Sequence, residues 1–506
     1  MAQQLNTPLQ NELNYRIEKN LYTYQDFFSD IKPFRQQKQF VDSLSNSYFI
    51  NTKNSAIDKL LNKSITLVNR KKVSLDINPV ISFFPKYSNH TGKLLTNTQL
   101  GIGANAYIGN QLSINFTGFY GIKSFDNYWQ TYVDSLEIIP HFGSYHLKKE
   151  NTYQYWSLTG YISYQPWKYF NFETGTGKTF LGEGYRSLFI SDNSNSNMYF
   201  KTSVAIWKFR YIWLISGLKD EDTNAPGTLK NKVQFSHYLS WNAAKWLNIN
   251  FFESIISNPV DSVGITYFNI NYLNPVIFYR PVEFASGSAD NALMGLGVNL
   301  KLWKKYRFYS QFLIDEFVIS EIKAGNGWWG NKFGIQSGLK IYDALGLKNL
   351  MILAELNIIR PYTYSYVNTI QNYGNFKQAI AHPAGANLKE FVFLAHYHKN
   401  RFSAQIKTIY QISGLDTSAV SYGKNIYKPN TFRPTDYSHT ITQGLKTKFL
   451  FSELKTSWFI NPKSNTQFQL ILSSYKKSNI QFSINDFSIS FGIKTLIFNE
   501  NLDYLY

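Results

Sequence analysis

The sequence predicts a transmembrane antiparallel β-barrel of about 18 strands, of the bacterial outer-membrane type. Three observations predict it. The composition is rich in aromatics yet only mildly hydrophobic, apolar and polar side chains alternate with a period of two from Val73 onward, and short connections alternate with long ones.

The chain of 506 residues holds 37 Tyr, 40 Phe and 11 Trp, 17% aromatic in all, while its mean hydropathy is slightly negative. A barrel wall shows one face to hydrocarbon and the other to water, so its average hydropathy stays modest while aromatics gather at the interfaces. There is no cysteine, which excludes disulfides and thiolate metal sites. No apolar run reaches the roughly 18–20 residues of a membrane-spanning helix. Val204–Leu218 comes nearest, but Lys208 and Arg210 interrupt it, and it reads as two strands and a turn. The opening Met1-Ala2-Gln3-Gln4 has no apolar stretch, and Ala2-Gln3-Gln4 resembles what remains after a small-residue cleavage site. The expectation is therefore an exported protein whose signal peptide has been removed. A net charge of +18 reads as solvated basic loops or as attraction to acidic polysaccharide and lipopolysaccharide phosphate. With no basic helix or recognised signature, nucleic acid is not an expected partner.

Residues 1–70 are expected to form a helical periplasmic cap or plug, and residues 71–506 the barrel. Thr7-Pro8-Leu9-Gln10 has the form of a capping box, and Leu13, Ile17 and Leu21 follow on one helical face. A second helix is expected near 35–44. In the barrel, Leu112, Ile114 and Phe116 oppose Ser113, Asn115 and Thr117. Trp156, Leu158, Ile162 and Tyr164 oppose Ser157, Thr159 and Ser163, and Phe487, Ile489, Phe491 and Ile493 oppose Ser488, Ser490, Gly492 and Lys494. A soluble sandwich also alternates; the connections separate the two. Short turns at 109–110, 165–168, 208–210, 242–245, 303–306, 343–348 and 399–401 interleave with polar loops at 123–152, 178–197, 218–231, 257–291, 317–331, 360–389 and 413–440. A barrel with tight periplasmic turns and long extracellular loops produces that rhythm. Trp167, Trp207, Trp241, Trp246 and Trp303 flank the short turns, where an interfacial girdle belongs. Reading 441–460 as one long, bulged strand keeps the strand count even and both termini periplasmic.

No motif for catalysis survives inspection. Gly175-Thr176-Gly177-Lys178-Thr179 resembles the end of a phosphate-binding loop, but Phe172 stands where the first glycine is required and no helix follows. His396 and His398 share one strand face without a third ligand, so no metal or other cofactor is expected. No serine, histidine and orienting group stand out as a trio. The informative loops carry aromatics beside arginine: Asn274–Phe284 with Arg280, Asn326–Gly330 with Trp328 and Trp329, and Arg360–Tyr366 with Tyr362 and Tyr364. Sugar C–H faces stack on such rings, and acidic sugars pair with guanidinium groups. The same loops serve equally well to fold inward and close the barrel mouth.

Gly184–Asn193, Asn274–Phe284, Ser286–Leu296, Tyr309–Phe317 and Arg360–Ser365, in that order and spacing, resemble the Wzi-type capsule-assembly outer-membrane β-barrel family. They are most similar to its RemB-type branch from gliding bacteria, over about residues 153–414. The resemblance implies about 18 strands with a periplasmic helical element. It also implies attachment of capsular polysaccharide to the cell surface and, in the gliding branch, adhesion or motility and association with a secretion apparatus. The expected function is thus a non-enzymatic barrel in outer-membrane lipid that binds surface polysaccharide through Arg280, Trp328, Trp329, Arg360, Tyr362 and Tyr364. Two alternatives stand beside it: a solute or oligosaccharide pore, and a structural subunit of a motility or secretion complex with other envelope proteins as partners.

Overall fold

The computed structural model describes residues 4–21, 27–37, 40, 48–70, 72–221, 228–258, 270–276 and 290–505. Among them, 18 antiparallel strands close into a barrel, from Val73–Phe83 to Ser483–Thr495. The last strand meets the first through Ile493↔Phe83 and Lys494↔Ser82, then continues along the short strand Lys86–Ser88 through Ile489↔Tyr87. Closure leaves the lower half of Val73–Phe83 without that partner, and Ile65–Arg70 pairs with it there. The end of the segment expected to form a helical cap or plug therefore belongs to the sheet. At the seam Gly492 lets the strands approach, because a Cβ there would lie 2.1 Å from the Phe83 carbonyl oxygen.

The alternation predicts the two faces correctly. Leu158, Trp156, Phe487 and Phe491 are among the exposed large apolar residues, whereas Ser163, Ser488 and Ser490 are buried. Side chains on a pleated strand point alternately to lipid and lumen, so one register sets every residue of a strand. Trp167, Trp207, Trp246 and Trp303 are exposed at the short-turn rim, and Trp241 stacks on Phe209 with centroids 5.6 Å apart. Leu445–Asn461 is a single strand of 17 residues, with a register shift between Phe459 and Asn461. Among the described residues no helix is long and apolar enough to cross a membrane.

Among the described residues, four helices of six or more residues stand apart from the wall strands: α1 (Asn11–Leu21), α2 (Ser55–Asn62), α3 (Asn127–Leu136) and α4 (Ile319–Ala324). Ile17 of α1 is fully buried with Phe27 and Phe34, and Leu13 and Leu21 pack against them, as the four-residue spacing predicts. The capping box is a correction. The helix starts at Asn11, and the Thr7 N–H donates to the Phe34 carbonyl at 2.9 Å, because this stretch is drawn into extended pairing. Arg35–Gln37 is likewise a strand, paired with Gln4–Asn6, while 38–39 and 41–44 of the expected second helix lie outside the described residues.

Candidate functional site

Two of the long loops, 178–196 and 360–387, turn into the barrel and pack against its inner wall. The stretch 178–196 goes deepest. Arg307 Nη1 lies 3.1 Å from a Glu183 oxygen, the Tyr185 N–H donates to Glu355 at 2.8 Å, and the Leu188 N–H donates to the Gln311 side-chain oxygen at 2.8 Å. Arg186 sits between Glu390 (3.2 Å) and Asp503 (2.9 Å), and Lys407 reaches Asp503 at 2.7 Å. Buried charges of this kind persist only when paired, since an isolated one costs several kcal/mol of lost hydration. Gly184 is where the loop presses on the wall: a Cβ there would meet a Glu355 oxygen at 2.2 Å.

Asp503 belongs to the segment 496–505, which leaves the short-turn end of the last strand and climbs the lumen. His141 Nε2 meets the Asn501 carbonyl at 2.9 Å, and Lys424 donates to the Leu505 carbonyl at 3.2 Å. His141 and Lys424 both lie on loops of the far rim, so this segment stitches the two ends of the barrel together. Burial pushes the His141 ring down to about 3, helped by nearby Lys178, so the ring is neutral and donates to the carbonyl. Burial likewise pushes the Lys424 ammonium down to about 7.

The residues expected to contact a ligand divide into two groups. Tyr362 and Tyr364 are fully buried, which corrects their expected role in stacking on a sugar. Tyr362 takes φ 66° and Tyr364 φ 74°, and their side chains are spent inside the plug. The Tyr362 hydroxyl donates to the Ser421 carbonyl at 2.8 Å, and the Tyr364 hydroxyl donates to the Leu188 carbonyl at 3.1 Å. A left-handed backbone at a bulky residue is costly and is held by such surrounding contacts. Trp328, Trp329 and Arg360 do converge, half-buried, at the long-loop rim. Arg280 lies outside the described residues.

At that rim the two indoles are 5.9 Å apart and tilted by 54°. Arg433 places its guanidinium 4.2 Å from the Trp329 ring centre, and Lys332 approaches the same ring at 5.2 Å. Trp328 rests one edge on Gly330, where a Cβ would meet its ring at 2.3 Å. Arg360 donates Nη2 to the Trp328 carbonyl at 3.2 Å and lies over Phe333, while its buried Nε has no hydrogen-bond partner. Phe432 and Tyr437 stand exposed nearby in sequence to Arg433. Sequence reasoning passed over Arg433; the signal available was its Arg-Pro pairing, the same as Arg360-Pro361, inside another aromatic loop. Lys332 approaches from the buried side, paired with Glu316 at 3.0 Å, and Arg433 is paired with Asp436 at 2.6 Å, so the rim presents two half-buried indoles beside a guanidinium–carboxylate pair.

Lys178, from the loop-like glycine stretch, donates to the Asp192 carbonyl at 3.0 Å and lies 4.4 Å from the centre of Phe498. His396 and His398 stack with centroids 5.9 Å apart, and among the described residues no cluster of three or more His, Asp or Glu could hold a metal.

No family model matches the sequence, and no curated protein matches it. Solved structures do. Over 98% of this chain and 100% of its counterpart, the fold is similar to Wzi of Escherichia coli, at TM-score 0.56 and 11% identity. That protein is described as an outer-membrane protein involved in group 1 capsule assembly and a carbohydrate-binding β-barrel. OprD of Pseudomonas aeruginosa is also similar, at TM-score 0.45 and 10% identity over 85% of this chain and 96% of that one. A BenF-like porin from Pseudomonas fluorescens Pf-5 gives TM-score 0.45 and 7% identity over 84% and 99%. At such identities the shared property is the architecture: the chain has the closed barrel fold of an outer-membrane protein, similar to that of Wzi.

Proposed function

We propose that this chain is an outer-membrane barrel that binds acidic surface polysaccharide at its long-loop rim, by contact rather than by catalysis. The observation that carries the reading is the half-exposed Trp328–Trp329 pair. It is flanked by Arg433, at 4.2 Å from the Trp329 ring centre and paired with Asp436 at 2.6 Å, and by the half-buried Arg360. Stacking on an indole and charge pairing with a sugar carboxylate would use both features, and the likeness of fold to a carbohydrate-binding barrel supports it. The barrel anchors the site in lipid, while the plugged lumen gives the loops a rigid base. Replacing both residues, Trp328→Ala with Trp329→Ala, should weaken binding of the detergent-purified protein to acidic capsule extract about tenfold or more, about 1.4 kcal/mol. High salt should weaken the unaltered protein's binding as well. Unchanged binding by the double variant would overturn the proposal.

A second reading, membership of a motility or secretion assembly in the manner of the RemB-type branch, draws on α2. Asn54 caps this helix through N–H donors of Ala56 and Ile57, and Ile57 and Leu60 are exposed at the short-turn rim. A partner co-purifying at fixed stoichiometry and lost on Leu60→Glu would favour it; a monodisperse monomer in mild detergent would count against it.

A further inference from the structure

A cavity of about 950 Å³ lies inside the short-turn half of the barrel, between the wall and the extended stretch that leads into α1. Binding sites for small molecules occupy roughly 300–1,000 Å³, so this space is large enough for an oligomeric ligand. It extends from the short-turn rim at Lys463–Asn465 inward to Gly177, Lys178 and Phe498, where the inturned loop and the lumenal segment form its inner end. The barrel convention puts short turns on the periplasmic side, so the cavity is open to the periplasm and is on the opposite membrane face from the Trp328 rim.

Its wall is built from alternate residues of neighbouring strands: Asn78, Asn105, Asn115, Thr117, Tyr161 and Tyr199. Asn115 donates to Asn105 at 2.8 Å, so each amide holds the other in place while keeping polar atoms for a ligand. Across the space, Thr7 Oγ1 and Gln10 Nε2 are buried without a protein hydrogen-bond partner. A buried unpaired donor or acceptor costs about 1–3 kcal/mol, which a ligand hydroxyl would recover. Leu9, Leu13 and Phe498 add apolar surface. Of the charged residues that line the cavity, five are basic (Arg16, Lys59, Lys63, Lys178, Lys463) and two acidic (Glu12, Asp76). Amides, hydroxyls and tyrosine rings with an excess of cations match one ligand chemistry: many hydroxyls, C–H faces and scattered negative charge.

We propose that this cavity is a second binding site, distinct from the rim, for an acidic oligosaccharide presented from the periplasmic side. The rim would grip polymer outside the membrane, and the cavity a glycan segment inside it. The proposal does not depend on the rim reading, and the test keeps them apart.

The probes are tetragalacturonate, with maltotetraose as the uncharged comparison, titrated calorimetrically into the full-length protein in detergent. The background is Trp328→Ala with Trp329→Ala, which removes the rim. Gly103→Tyr then fills the cavity, because a Cβ at Gly103 would meet only ordinary contacts, Thr117 Oγ1 at 3.6 Å and the Asn78 carbonyl oxygen at 3.9 Å. Asn115→Leu removes hydrogen bonding without filling the space. Faster gel migration of the unheated protein confirms that each barrel is folded. The expected result is tetragalacturonate binding that survives the rim substitutions and exceeds maltotetraose binding. Either cavity substitution should weaken it about tenfold or more. Absence of binding in the rim-free background, equal affinity for both sugars, or binding unchanged by Gly103→Tyr and Asn115→Leu would each overturn the proposal.

Discussion

At the scale of single residues, the inside of this barrel is held by pairs that no local pattern announces. His141 is one. Its ring is kept neutral by burial, down to about 3 from 6.5, and ties a far-rim loop to the Asn501 carbonyl. A histidine with a depressed folded pKa contributes stability that is fully present above 6.5 and lost as pH falls toward 3, because the unfolded ring takes up its proton first. Hydrogen-exchange protection of residues 137–146 should therefore fall as the medium is acidified below 6.5, and His141→Gln should flatten that dependence. The tyrosines teach the converse lesson. Tyr362 and Tyr364 share a loop with Arg360 and look alike in sequence, yet they are buried while the arginine stays half-exposed. What separates them is the carbonyl each hydroxyl reaches, on Ser421 and on Leu188, both distant in the chain.

Among the elements, strands were legible and loops were not. A strand's inner and outer faces follow from a period of two, so Leu112–Ser124 and Ser483–Thr495 could be oriented residue by residue. A loop has no such period, and its conformation comes from whichever wall residues it meets. The segments that carried the family resemblance illustrate this. Gly184–Asn193 meets the wall strand residues Tyr309–Phe317 through Gln311 and meets Arg360–Ser365 through Tyr364, all inside the lumen. Those three motifs therefore go largely into closing the lumen, and the aromatic rim joins Arg360 from one of them to Arg433, outside them. The capping signal at Thr7 failed for the same reason: pairing with Phe34 and contact with the tail won over a local preference. Because 178–196 fills the centre, deleting 179–195 with a short Gly-Ser bridge between Lys178 and Ser196 should raise ion conductance in planar bilayers well above that of the intact protein. A deletion variant that stays as silent as the parent would show that the remaining loops suffice to seal the lumen.

For the whole molecule, the balance is between a lipid-facing belt and an interior of paired charges. Leu158 stands at mid-strand on the outer face, 64% exposed. Leu158→Arg should cost about 2–4 kcal/mol, whereas Trp303→Arg at the rim should cost about 0–1 kcal/mol, because the penalty depends on depth in the bilayer. Urea unfolding in lipid vesicles measures both. The net charge of +18 looks different in three dimensions. Lys232 pairs with Asp220, Lys340 with Glu18 and Arg307 with Glu183 inside the barrel, so these cations are structural; being matched by acids, they leave the excess to other basic side chains.

The amino-acid order alone determined the barrel, its facing residues, its short and long rims and the aromatic girdle, because each follows from spacing along one strand or from the length of one connection. It also placed Trp328, Trp329 and Arg360 on one candidate surface by composition. Only the tertiary structure decided which aromatics stay at the rim, that Arg433 joins them, that 496–505 climbs the lumen, and that a polar cavity remains on the other side. Those outcomes depend on contacts between residues hundreds of positions apart, such as Arg186 with Asp503, which neither propensity nor periodicity encodes.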